Sequence, residues 1–191
     1  MIDFTVSLEN ENILLRPMLP GDLEDYYKVT TEHNMWTYFS SDLSNKQELT
    51  AWISVALKQR KKKERLPFSV VVKSDNQVAG SSSFGNISNH DNRLEIGWTW
   101  LAKAYHGKGI NSQVKHLMLR YGFETLRMER IEFKTDILNI PARKALTKIG
   151  CVEEGVLRSH TLMTHNRRRD TIYYSILKSE WAQLKQKNKW T

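Results

Sequence analysis

One stretch, RLEIGWTWLAKAYHGKGINSQVKHLMLRYGFE, constrains the fold of this chain more than any other. Leu94, Ile96, Trp98 and Trp100 alternate with Arg93, Glu95, Gly97 and Thr99, the period of two that puts successive side chains on opposite faces of a strand. On this reading Glu95 faces away from Ile96 and Trp98. A Gly107-Lys108-Gly109 loop follows, and then Val114, Leu117, Met118 and Tyr121 share one face of a helix predicted over about Ser112 to Leu126. RIEFKTD returns as a strand. Two paired strands linked through a helix must run parallel, whereas a hairpin gives an antiparallel pair.

Hairpins flank this unit. PFSVVVK and QVAGSSSFGNIS, separated by the turn residues SDN, predict a hairpin over about Pro67 to Ser88. CVEEGVLRSHTL and DTIYYSILKSEW, joined through MTHNRRR, read as two closing strands. NILLRPM reads as a short strand, and PGDLEDYYKVTTE as a helix with Asp22 as its N-cap. Leu49, Trp52, Ile53, Ala56 and Leu57 form one apolar helical stripe, read as core. Ala142, Ala145, Leu146 and Ile149 mark a helix that stops at Gly150. The sum is an α/β chain with a mixed sheet and helices on its faces.

At 191 residues, 40% apolar and 26% charged, the chain fits a single folded domain over 1–191. Its one cysteine, Cys151, excludes an internal disulfide and is expected to be buried and inert. No Cys/His spacing suggests zinc, so no metal is expected. No apolar run approaches the roughly 20 residues of a membrane span, and MIDFTVSLENEN lacks the pattern of a signal peptide, so a cytoplasmic location is expected. The net charge of +8 favours an anionic ligand. Much of it lies in KQRKKKER, Lys58 to Arg65, and near Arg168, read as a solvated helix end and a turn, with nucleic acid as the alternative partner.

The glycine loop addresses function directly. A helix N-terminus offers unpaired N–H groups and a partial positive charge, and a loop without side-chain bulk there can wrap a phosphate. HGKGINS is neither a Walker A loop nor a dinucleotide fingerprint, which argues against ATP hydrolysis and hydride transfer.

EIGWTWL, YHGKGIN, YGFETLRMERIEFKTD and NIPARKALTKIGCVEEGVLR together resemble the GNAT superfamily of acyl-CoA-dependent N-acetyltransferases. More narrowly they are similar to the branch that includes the ribosomal-protein N-terminal acetyltransferases. The likeness implies a mostly antiparallel mixed sheet with a central splayed parallel pair and helices on both faces. It implies acetyl-CoA as acyl donor, with a pyrophosphate loop in which His106 fills the first place of the family pattern, Gly109 the glycine and Asn111 the last. His106, Gly107, Lys108, Gly109, Ile110, Asn111 and Ser112 are the residues this assigns to the cofactor. Asn139 matches an asparagine that meets the pantetheine arm, with a helix N-cap as its competing role. Arg143 matches a basic position near the CoA phosphates; it and Lys144 fit a solvated role equally.

The chemistry requires a base, because an amine is largely protonated at neutral pH. The resemblance implies Glu95, with a cross-strand salt bridge as the competing role. A backbone N–H near Trp98, Thr99 and Trp100, where the parallel strands splay, would polarise the thioester. Ala142 stands where the branch often has a serine, leaving the general acid to Tyr173 or a water. Trp36, Tyr38 and Phe39 are similar to the family's substrate-side segment, and Ser159 and His160 end a strand lining the same cleft; for the aromatic residues a core role competes. The acceptor implied is a primary amine on a peptide N-terminus, a ribosomal protein among them, or on a small molecule. A monomer or homodimer with no membrane partner is expected. Two other readings are a basic nucleic-acid or ribosome-binding module and a CoA-binding regulator whose catalytic groups have decayed.

Overall fold

The computed structural model describes residues 2–190, the side chain of His165 excepted. Its strands are β1 (Leu8–Glu9), β2 (Ile13–Pro17), β3 (Leu66–Val72), β4 (Gln77–Ser88), β5 (Arg93–Leu101), β6 (Arg130–Asp136), β7 (Val152–Leu162) and β8 (Arg168–Leu177). Its helices are α1 (Leu23–Thr30), α2 (Lys46–Lys61), α3 (Ile110–Arg120), α4 (Ile140–Ile149) and α5 (Lys178–Asn188). The strands form one sheet in the order β1-β2-β3-β4-β5-β6-β8-β7. Among the described residues only β5 and β6 pair in parallel.

Two hydrophobic clusters hold the layers together. The larger packs Leu94, Ile96 and Leu101 of β5 and Ile131 and Phe133 of β6 against Val114, Leu117 and Met118 of α3, Leu146 and Ile149 of α4, and Trp181 and Leu184 of α5. The smaller, on the opposite face, joins Tyr26 of α1 and Leu49, Ile53 and Ala56 of α2 to Trp36, Val71 and Trp100.

The sheet forks at its centre. β5 and β6 pair only at Arg93 with Arg130, Leu94 with Ile131 and Glu95 with Glu132, although β5 runs on to Leu101 and β6 to Asp136. Beyond Glu95, β5 follows β4 and β6 follows β8. The divergence coincides with a bulge, where Trp98 adopts a φ of +51° and the β4–β5 register jumps from Ser83 opposite Gly97 to Ser81 opposite Trp100. An extra residue in one strand bends it and increases its twist.

The bulge also corrects the facing expected from simple alternation. Before it, Ile96 faces α3; after it, Leu101 does, and Thr99 Oγ1 accepts a 2.7 Å hydrogen bond from Lys115 of α3. Trp98 therefore shares the face of Glu95 instead of opposing it. Gly85, the register partner of Glu95, makes room for it: a Cβ there would lie 2.4 Å from the Trp98 ring.

Other expectations need revision. The closing strand ends at Leu177, and KSEW opens α5, where Glu180 accepts the Leu177 N–H at 2.8 Å. Asp22 occupies the N-cap position of α1, but its side chain does not cap the helix; its carboxylate takes the Leu19 N–H and the Arg16 guanidinium, which against the effect of burial hold it below the usual carboxylate range. Arg65, expected in a solvated helix end, is 3% exposed, because α2 stops at Lys61 and the chain reverses through Lys63 at φ +59° before entering β3. Cys151 is buried, and burial pushes its thiol up to about 12, as an inert cysteine requires.

Candidate active site at the fork

On the α3 side of the fork the glycine loop leads straight into a helix start. Gly107 and Gly109 have φ values of +73° and +78°, left-handed conformations that glycine adopts without strain, and a Cβ at either would meet nothing within 4 Å. No side chain caps α3, whereas Asn45 caps α2 and Asn139 caps α4. The first N–H groups of α3 are therefore left open to a ligand. His106 is turned away from them, its Nε2 donating to the Leu101 carbonyl at 2.8 Å and so pinning the loop to the end of β5. Lys108 lies over the Tyr105 ring, and Asn111 and Ser112 sit half-buried in the first turn. Gln113 anchors that turn to the chain before β2 by accepting from Asn10 and Asn12 at 3.0 and 3.1 Å.

Asn139 acts as the N-cap that competed with its cofactor role. Its Oδ1 accepts the Ala142 N–H at 3.2 Å, which leaves the amide NH2 free to donate elsewhere. Arg143 is engaged by its own chain, donating to Tyr174 Oη and to the Ile137 carbonyl at 3.2 and 3.1 Å. With Lys144, Glu153 and Tyr174 it lines a cavity of about 480 Å³.

A buried lysine absent from the sequence reading reaches into the fork from the same side. Lys115 Nζ donates to Thr99 on β5 and lies 5.6 Å from the ring centroid of Phe133 on β6, spanning the strands where they have parted. Burial pulls its ammonium down to about 7 and outweighs the opposing effect of Cys151 and Glu95.

On the α1–α2 side, Glu95 is 3% exposed, and its Oε2 accepts from Asn86 at 2.5 Å and pairs with Lys134 of β6 at 2.9 Å. A salt bridge across the fork thus exists, made by Lys134. Register places Lys134 opposite Tyr173, so Glu95, Lys134 and Tyr173 share this face. Trp36 is 2% exposed, gives its indole N–H to the Thr30 carbonyl and packs edge-on against Trp100 and Phe39, as a core residue does. Tyr38 and Phe39 are half-buried, and Phe39 packs at the margin of that cluster.

Ser159 lies apart from the fork, on the edge strand β7 and separated from β5 by β6 and β8. Its N–H donates to Asp170 and its hydroxyl accepts from Arg168. His160 instead reaches Thr171 at 3.1 Å and packs edge-on against Tyr173. Among the described residues no cluster of three or more His, Cys, Asp or Glu is arranged to hold a metal, and no helix is long and apolar enough to cross a membrane.

The chain is similar to known proteins in sequence and in fold. Residues 12–152 match the family model described as the acetyltransferase (GNAT) domain. An uncharacterised N-acetyltransferase, p20 of Bacillus licheniformis, is 35% identical over 115 residues, which cover 60% of this chain and 64% of p20. YdaF of Bacillus subtilis, provisionally named a ribosomal N-acetyltransferase, is 27% identical over 90% of this chain and 94% of its own length. A GCN5-related N-acetyltransferase from Brucella melitensis has the same fold, with a TM-score of 0.89, 24% identity, and coverage of 97% of this chain and 85% of that one. With a forked parallel pair, an uncapped glycine-rich helix start beside it and a family match over most of its length, the chain belongs to the GNAT family of N-acetyltransferases.

Proposed function

We propose that the chain moves an acetyl group from acetyl-CoA to a primary amine by direct attack of the amine within a ternary complex. The observation that carries this reading is the open start of α3 beside the fork. Backbone N–H groups of Gly109 to Ser112, in a loop that Gly107 and Gly109 keep free of side chains, suit a diphosphate, and Lys108 adds charge. The free amide of Asn139 and the positive charge of Arg143 and Lys144 stand at the start of α4, where they would hold the rest of the donor. Acetyl-CoA, when bound, supplies the reactive thioester.

The chain's own residues supply position and proton transfer. Main-chain N–H groups around Trp98 to Trp100, freed from β6 by the fork, are oriented dipoles for the carbonyl oxygen. Glu95, on the opposite side, takes the proton the amine loses, directly or through water. Lys115 faces the fork from the α3 side and is the candidate to give a proton to the departing sulfur, the role for which Ala142 has no group. The new N–C bond forms as the C–S bond breaks; one proton passes to Glu95 and one leaves Lys115.

The test is calorimetry and thermal melting with coenzyme A and acetyl-CoA, followed by thiol release with a panel of peptide and small-molecule amines. The absence of any response to coenzyme A would remove the reading. A ribosomal-protein N-terminus belongs in that panel because YdaF carries that name, and a cytoplasmic location fits such an acceptor.

A further inference from the structure

Resting on the acyl-transfer reading, we infer that Arg65, flanked by Trp52 and Trp98 and aided by the indole N–H of Trp100, binds a carboxylate carried by the amine acceptor. Arg65 is 3% exposed and has no carboxylate partner among the described residues. Its Nε donates to Ser83 Oγ at 2.9 Å, its Nη1 makes a long 3.5 Å contact with Gln59, and its Nη2 is buried with no partner at all. Trp100 Nε1 is a second buried donor without an acceptor. Both groups pack against Trp52: the guanidinium carbon lies 5.2 Å from that ring, and the Trp100 ring 6.4 Å from it.

A buried cation without a counter-ion carries a large desolvation cost unless a partner supplies the opposite charge. The acids of this face are already committed, Asp22 to Arg16 and Ser69, Glu95 to Lys134 and Asn86, and Asp136 to Arg167. Burial pulls the guanidinium down to about 9 against the charge of Glu95, which acts on it without touching it, and leaves it charged at neutral pH. Two donors with no acceptor ask for an anion. A planar anion is favoured, because a carboxylate meets the edge of a guanidinium in plane while Trp98 at 4.4 Å and Trp52 at 5.2 Å pack against the group. Both rings are half-buried, so the guanidinium lies just beneath the surface.

Register sets its relation to Glu95. Ser83 pairs with Gly97, two residues along β5 from Glu95 and on the same face. The Glu95 carboxylate leans over Gly97, where a Cβ would lie 2.5 Å from its Oε1, so a carboxylate at Arg65 sits within about two strand residues, ~7 Å at most, of an amine at Glu95. That span suits an amine and a carboxylate separated by several bonds, as in a short peptide or a γ-amino acid.

The experiment uses matched pairs that differ only in the carboxylate: glycylglycine with glycylglycinamide, and γ-aminobutyrate with γ-aminobutyramide. Thiol release at saturating acetyl-CoA should favour an acid over its amide by about tenfold or more in kcat/KM, in line with one charge-assisted hydrogen-bond pair. Arg65→Met should reduce that ratio to about one while the melting shift with coenzyme A persists. Arg65→Lys, which keeps the charge and loses the fork, should retain part of the ratio and serves if the methionine variant does not fold. Titrating tryptophan emission with the same compounds reads binding at Trp52 and Trp98 without turnover. Equal response to acid and amide in both assays, preference for an aminoalkyl phosphate, or an acid preference that survives Arg65→Met overturns the site. Saturable acid binding without any response to coenzyme A would instead sink the acyl-transfer reading and leave the carboxylate site standing.

Discussion

Lys134 Nζ lies 2.9 Å from Glu95 Oε2, reaching from β6 to β5 across the fork just past the last residue pair the two strands share. The pair ties β5 to β6 on the face opposite α3 and holds the carboxylate at the place where the proposed reaction brings the amine. Glu95→Gln is expected to lower kcat by about 10²–10⁴, the usual contribution of a positioned base, with the melting shift on coenzyme A unchanged. Steady-state kinetics beside a melting curve separates that outcome from a folding defect.

Lys134→Met tests the structural half of the same pair. It leaves a buried carboxylate with Asn86 as its remaining side-chain partner. Because Lys134 keeps a quarter of its side chain exposed, the expected loss is ~1–3 kcal/mol, below the range for fully buried pairs. Urea denaturation reads it directly, and unchanged stability would mean that water solvates Glu95 in the fork.

Lys115 makes a pH prediction. Its folded pKa, about 7, lies far below the 10.5 of an ordinary lysine, so between these values the unfolded chain binds the extra proton. Stability therefore rises as pH increases from about 7 to 10.5, and the full cost of burying the ammonium is felt below pH 7. Lys115→Met should melt higher than the parent at pH 6, by the equivalent of a few kcal/mol, and the gap should close toward pH 10. A gap independent of pH would show that this ammonium is solvated.

Asn139 can be divided into its two halves. Asn139→Ala removes the α4 cap and should cost about 0.5–2 kcal/mol. Asn139→Asp keeps the capping oxygen and loses the amide donor, so stability should hold while affinity for coenzyme A falls. Equal affinity in parent and aspartate variant would reduce Asn139 to its cap.

Gly109→Ala probes the loop. With φ at +78° and empty space around the position, the cost is backbone strain, ~1–2 kcal/mol, with no clash. A fall in coenzyme A affinity well beyond that strain is expected, because the new methyl group stands in the approach to the α3 N–H groups. Calorimetry on the folded variant checks it.

The unit from β5 to β6 was legible because its signals are local: a period of two, then glycines, then a helical stripe. What escaped depended on single backbone residues. Trp98 in a left-handed conformation reverses the strand's facing, and nothing in a tryptophan's chemistry announces it. Arg65 reads as the last member of a basic run, yet the reversal after Lys61 carries it inward while its neighbours stay solvated. Lys115 hides among polar positions of α3, a helix covered on so many sides that Val114, Lys115 and His116 are all buried in succession. The terminal helix carries a lysine-rich, weakly amphipathic sequence whose buried residues are Trp181 and Leu184, too few to set a period.

The bulge at Trp98 lets one strand work for two partners. Upstream of it β5 turns Glu95 toward the α1–α2 side, where the proposed reaction brings the amine; downstream it turns Thr99 toward Lys115 of α3, on the side proposed for the donor. On the proposed reading the residues that choose the acceptor lie on one face of the sheet and those that seat the donor on the other, so a chain of this design can change its customer while keeping its currency.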